Sequence, residues 1–203
     1  MKTKLHKGDL PEGLDLGASV AVDTEALGLN PIRDRLCLVQ LCSADGQVHM
    51  VQFAPGAYQA PNLKKLLRDR KVLKIYHFAR FDLAMIRRYL GVLAAPVYCT
   101  RTASKIARTY TDKHGLKDLV KELLDVELSK QLQSSDWGAE TLSEQQLAYA
   151  ANDVIYLHRL KTALDAILVR EGRQRLAAAC FQFLPVRAGL DLAGWADVDI
   201  FAH

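Results

Sequence analysis

The sequence has no apolar run approaching the roughly 20 residues that a membrane helix needs, so no membrane association is expected. Its opening stretch, MKTKLHKGDLPEG, carries basic residues without an apolar segment behind them, which argues against a secretory leader. Cysteine is sparse: Cys37, Cys42, Cys99 and Cys180 form no CxxC pair, and no histidine stands at zinc-finger spacing from them. A disulfide framework or cysteine zinc site is therefore not expected, and reduced thiols point to the cytoplasm. Internal repeats, low-complexity segments and an evident linker are also missing. Neither sign of charge dominates, since the net charge is only +4. That surplus is compatible with an anionic partner and does not require one.

What remains is an ordinary globular composition, 50% apolar and 25% charged over 203 residues, enough for one domain spanning 1–203. Apolar runs at 19–24, 35–43, 47–53 and 72–78 read as strands, with a further short one near PVYC. Helices are expected at 61–69, 79–91, 102–110, 115–125 and from 143 to about 170, the last opened by a Ser143/Gln146 capping box. Strands first and helices later imply an α/β domain with helices against a mixed sheet. The core would run from about 19 to 170. The tail, 171–203, loses helical periodicity after Pro185 and would pack on its own core or on a neighbouring subunit.

Four acids stand where the patterns want apolar residues. Asp23 and Glu25 share one face at the end of the first strand run, because side chains at i and i+2 do so. On a helical projection Asp82 falls among Met85, Ile86 and Tyr89, and Asp153 aligns with Tyr149, Tyr156, Leu160 and Leu164. Each could find its own local cation or backbone N–H. The four together, without evident cations on the same faces, fit a hard divalent metal better, since clustered carboxylates are its preferred ligands. Tyr149 lies one helical turn before Asp153 on the same face, where a phenol can orient an attacking water.

These residues carry a family resemblance. VDTEALGL, HFARFDLAMI and LAYAANDVIYLHRL resemble, in order, the three motifs of the DEDD 3′→5′ exonucleases in the tyrosine form, and SKQLQSSDWGAETLSEQQLAYAANDVIYL is similar to ribonuclease D. The resemblance covers about 19–165 and implies a ribonuclease H-like fold. It also implies two Mg²⁺ or Mn²⁺ ions held by Asp23, Glu25, Asp82 and Asp153, and water positioned by Tyr149 for release of nucleoside 5′-monophosphates from an RNA 3′ end. Thr24, Ala26, Leu29, His77, Phe78, Ser134 and Trp137 would contact substrate. Leu29 is either a wedge between the last two bases or simply core. For Phe78 core packing is the favoured role.

No helical RNA-binding repeats like those of full-length ribonuclease D are expected beyond the motifs. The chain looks most like the nano-RNase C group, which implies short RNA oligonucleotides, dinucleotides especially, and a homo-oligomer in rings of eight. Two alternatives stay open: ribonuclease D-like trimming of longer RNA, and a non-catalytic nucleic-acid-binding module. The basic run KKLLRDRKVLK, 64–74, reads as a solvated face or as an RNA track.

Overall fold

The computed structural model describes residues 3–128 and 135–202. Six strands, β1 (Thr3–Lys7), β2 (Ser19–Ala26), β3 (Leu36–Ser43), β4 (Val48–Gln52), β5 (Leu73–Tyr76) and β6 (Val97–Cys99), form one sheet in the order β1-β4-β3-β2-β5-β6. β2, β3 and β4 are antiparallel neighbours, whereas β1 runs parallel to β4 and β5 and β6 continue parallel from β2. The sheet is therefore mixed, and its centre is built from strands whose apolar runs are buried on both faces: every residue of β3 and β4 is buried.

The helices are α1 (Pro61–Arg68), α2 (Ala79–Met85), α3 (Thr100–Ala107), α4 (Leu116–Leu124), α5 (Glu144–Ile155), α6 (Leu157–Arg170) and α7 (Gln174–Leu192). This is the expected ribonuclease H-like α/β architecture, with helices flanking a mixed sheet. Ser143 caps α5 with the anticipated reciprocal box to Gln146. None of the helices is long and apolar enough to cross a membrane, among the described residues.

One strand went unread, and three expectations need correction. β1 was not legible, because TKLHK is an exposed edge strand without an apolar face. The helix expected over 79–91 is α-helical only to Met85 and continues as a π-helical turn, Ile86–Leu90, closed by Gly91 at φ 65°. The helix expected from 143 to 170 breaks at Tyr156 into α5 and α6. Finally, Pro185 does not end helicity: α7 runs through it, because Ala177, Phe181, Pro185 and Ala188 are all buried and keep helical spacing on one stripe. Asp191 near the end of α7 is anchored by Arg187 one turn earlier and by Arg80 of α2, which draws the tail helix onto α2.

The run at 64–74 divides. Its exposed members sit on α1 and the turn after it, outside the main cleft. Lys74 is instead fully buried, with Nζ donating to the carbonyls of Asp69, Val72 and Ala95 at 2.6, 2.7 and 2.6 Å. It holds the end of α1 to the sheet. Burial lowers its pKa to about 8.

Candidate active site

The C-terminal end of β2 opens into a cleft of about 970 Å³ lined by Asp23, Glu25, Asp82, Tyr149 and Asp153 together with Leu29, His77, Phe78 and Trp137. Asp23 and Glu25 leave β2 on one side, beside a β-bulge between Glu25 and Ala26 that ends the regular ladder with β3. α5 packs on β2 and β3 and brings Tyr149 and Asp153 to them. Carboxylate oxygens of Asp23, Glu25 and Asp153 lie within 4.8 Å of one another.

Asp82 arrives from α2. Its Oδ1 accepts a 2.7 Å hydrogen bond from the Thr24 hydroxyl, which projects from β2 between the two acidic positions. Thr24, expected to contact substrate, is buried at the cleft wall with its hydroxyl engaged by Asp82. Ala26 lines the cleft at the bulge.

No lysine, arginine or histidine pairs with any of the four acids among the described residues. All four carboxyls are pushed above the ordinary range. Burial leads in each case; for Asp23 the neighbouring Asp82, Asp153 and Glu25 add to it, and for Glu25, Asp153 and Asp82 do so. At Asp82 the bond from Thr24 works against burial. The Tyr149 phenol is likewise raised, by burial first and then by Asp153, Glu25 and Asp23. It keeps its proton and can donate to or orient water. Trp137, buried, sits with its ring centroid 6.1 Å from that of Tyr149.

The Trp137 loop is itself tied down: Arg35 donates to the Gly138 carbonyl at 3.2 Å, and Gln52 to that of Ala139 at 2.8 Å. Ser134, expected to contact substrate, lies outside the described residues.

The other substrate-facing expectations separate cleanly. Leu29 is 88% exposed and so is not core. It projects from a built turn in which Asn30 Oδ1 accepts from the Ile32 and Arg33 amides, while Asp34 accepts from the Asn30 amide at 2.9 Å. A Cβ at position 28 would lie 2.2 Å from Asp34 Oδ2, so a larger residue there must displace the Asp34 side chain that closes this turn. Phe78 also departs from the favoured core role: it is exposed, precedes α2 at φ 68°, and carries the Arg101 guanidinium 4.8 Å above its ring.

His77 is held by Thr100. The Thr100 hydroxyl donates to the Tyr76 carbonyl at 3.2 Å, so it accepts from His77 Nδ1 at 2.8 Å, and Nε2 is left as a bare acceptor without a partner among the described residues. Burial, with Arg101 beside it, lowers its pKa to about 3 and keeps the ring neutral.

Two residues of the site escaped the sequence, one on the cleft wall and one buried behind the acids. Arg101 is the one lysine or arginine on the cleft wall among the described residues, and sits in a helix with no visible motif. Gln40 reads as one polar residue in a strand, but β3 places it directly opposite Asp23.

A mixed sheet of this order, with carboxylates converging on the end of a central strand from two helices, defines the ribonuclease H-like class of nucleases. The chain belongs to the 3′→5′ exonuclease family, whose sequence profile matches residues 7–169. It is 40% identical to ribonuclease D of Gluconacetobacter diazotrophicus over 154 residues, which are 76% of this chain and 39% of that protein. The chain thus spans well under half the length of the ribonuclease D relatives it matches.

Among solved structures, NrnC of Brucella melitensis is 56% identical, with a TM-score of 0.97 over 100% of this chain and 98% of the other. That protein has also been solved bound to pGG and with bound Mg²⁺. Escherichia coli RNase D is more distant, 26% identical with a TM-score of 0.75 over 84% of this chain and 45% of its own.

Proposed function

We propose that this protein is a divalent-metal-dependent 3′→5′ exoribonuclease that hydrolyses very short RNA, dinucleotides above all, to nucleoside 5′-monophosphates. The observation that carries it is the convergence of Asp23, Glu25 and Asp153 within 4.8 Å, with Asp82 alongside and no cation paired to them among the described residues. Four carboxylates left uncompensated in this way fit Mg²⁺ or Mn²⁺, which prefer clustered oxygen ligands. Such ions, once bound, supply charge neutralisation at the scissile phosphate and activation of water. The pGG and Mg²⁺ complexes of B. melitensis NrnC, similar over its whole length, support the substrate class and the metal.

The protein's own residues have separable tasks. Asp23, Glu25, Asp82 and Asp153 hold the ions, and the protonated Tyr149 orients the attacking water. Leu29, fixed on its turn, offers an apolar surface to the terminal bases, and Phe78 offers an aromatic face on which a base can stack. Arg101 attracts the phosphate. His77 Nε2 suits a hydroxyl donor, and Trp137 keeps Tyr149 in place. Free cysteines and the lack of a spanning helix among the described residues suit a cytoplasmic enzyme. A homo-oligomer, with rings of eight the expectation, suits α7, which leaves Leu176, Phe183 and Val186 exposed.

The test is to follow 5′-labelled RNAs of two, five and twenty nucleotides at equal concentration in Mg²⁺. The dimer should be consumed faster by orders of magnitude. Comparable rates on all three would favour a ribonuclease D-like trimming enzyme, and no turnover of any would favour a binding module.

A further inference from the structure

Resting on the metal-dependent reading above, we infer that Gln40 is a positioning residue of the metal site: its side-chain amide fixes the separation and orientation of Asp23 and Glu25. Gln40 is fully buried in β3, in the register position directly opposite Asp23. Its Nε2 lies 3.4 Å from Asp23 Oδ2 and 3.4 Å from Glu25 Oε1, equidistant between them. A primary amide nitrogen has two hydrogens, one for each acid. With both acids ionised, as ligation of a cation requires, the amide turned the other way would present its carbonyl to two carboxylates, so the nitrogen faces them.

The surroundings speak against a role in the fold. Leu36, Cys37, Leu38, Val39, Leu41 and Cys42 make β3 a buried apolar strand, and a polar side chain there is costly unless satisfied. Gln40 is only half satisfied, since its Oε1 is buried without a partner among the described residues. Both bonds from Nε2 are long, at the weak end of the hydrogen-bond range. A leucine or methionine would serve the strand better. Departures from local rules of this kind collect at functional sites.

The choice of a neutral donor is also specific. Lysine or arginine at this position would neutralise the charge a divalent cation needs, and glutamate would add repulsion to an already strained pair. An amide orients both acids and leaves their charge intact, as supporting residues behind metal ligands do.

The experiment compares wild type with Gln40→Met, which keeps the volume and removes the donor, and Gln40→Asn, which keeps the amide and shortens its reach. Mn²⁺ binding to metal-free protein is read by electron paramagnetic resonance. Melting in EDTA and dinucleotide kinetics at matched Mn²⁺ accompany it. Both variants should bind Mn²⁺ about tenfold or more weakly, as loss of a supporting residue typically does. Their kcat should fall while KM for the dinucleotide stays within about twofold, and melting in EDTA should be close to wild type.

Mn²⁺ affinity in either folded variant within about twofold of wild type would overturn the inference. So would melting far below wild type in both, which would make Gln40 a residue of the fold. A wild type that binds no Mn²⁺ would overturn the metal site and this inference together; binding lost in neither variant would overturn this inference alone.

Discussion

Thr24 holds Asp82 across the junction of β2 and α2, its hydroxyl 2.7 Å from Asp82 Oδ1. This contact joins the two elements that carry three of the four acids, and it opposes the effect of burial on Asp82. Thr24→Val preserves shape and removes the donor. It should cost about 1–3 kcal/mol of stability, as loss of a buried bond to a chargeable group does, and lower kcat more than it raises KM. Chemical denaturation and steady-state kinetics check both.

Metal-free protein should lose stability as pH rises. The folded state keeps these carboxyls protonated to higher pH than the unfolded chain, so it binds more protons, and unfolding free energy falls with pH over that interval. Stability is fully present below the ordinary values of 3.8 and 4.5, and is lost through about 7 for Asp82 and Asp153 and about 9 for Glu25. Melting in EDTA should therefore drop between roughly pH 5 and 9. Added Mg²⁺ should restore more at the alkaline end. A melting temperature in EDTA that climbs over this range would contradict the charge reading of the site.

Tyr149→Phe removes the hydroxyl and keeps the ring against Trp137. Turnover should fall about 10²–10⁴-fold, the usual contribution of a positioned proton-handling group, with Mn²⁺ affinity unchanged. Equal loss of metal affinity would make Tyr149 a support for Asp153 instead.

Leu29→Ala should leave melting unchanged, since Leu29 is 88% exposed. It should raise KM for a dinucleotide more than for a longer RNA, which has further contacts. Gly28→Ala should weaken dinucleotide binding in the same sense by displacing Asp34 from the turn that presents Leu29.

The acids were legible because each breaks a pattern. Asp23 and Glu25 interrupt a strand, and Asp82 and Asp153 interrupt apolar helix stripes, so burial physics alone singled them out. The central strands were equally legible, as unbroken apolar runs. Gln40 was hidden because one polar residue in a strand is unremarkable until register sets it opposite Asp23. Phe78 was misjudged because aromatic character usually means core, whereas here a left-handed backbone at the start of α2 turns it outward. Pro185 misled because local chain chemistry predicts a break, and tertiary packing of α7 on α2 overrides it.

The most direct test follows a 5′-labelled RNA dinucleotide in Mg²⁺ with wild type and Asp153→Asn, alongside their melting in EDTA. Wild type should cleave the dimer to nucleoside monophosphates and stop on chelation. Asp153→Asn should be inactive yet melt no lower in EDTA, because it removes one of the buried, mutually repelling carboxylates. Dimer cleavage by Asp153→Asn at the wild-type rate, or wild-type cleavage that persists in EDTA, would contradict the four-carboxylate metal site.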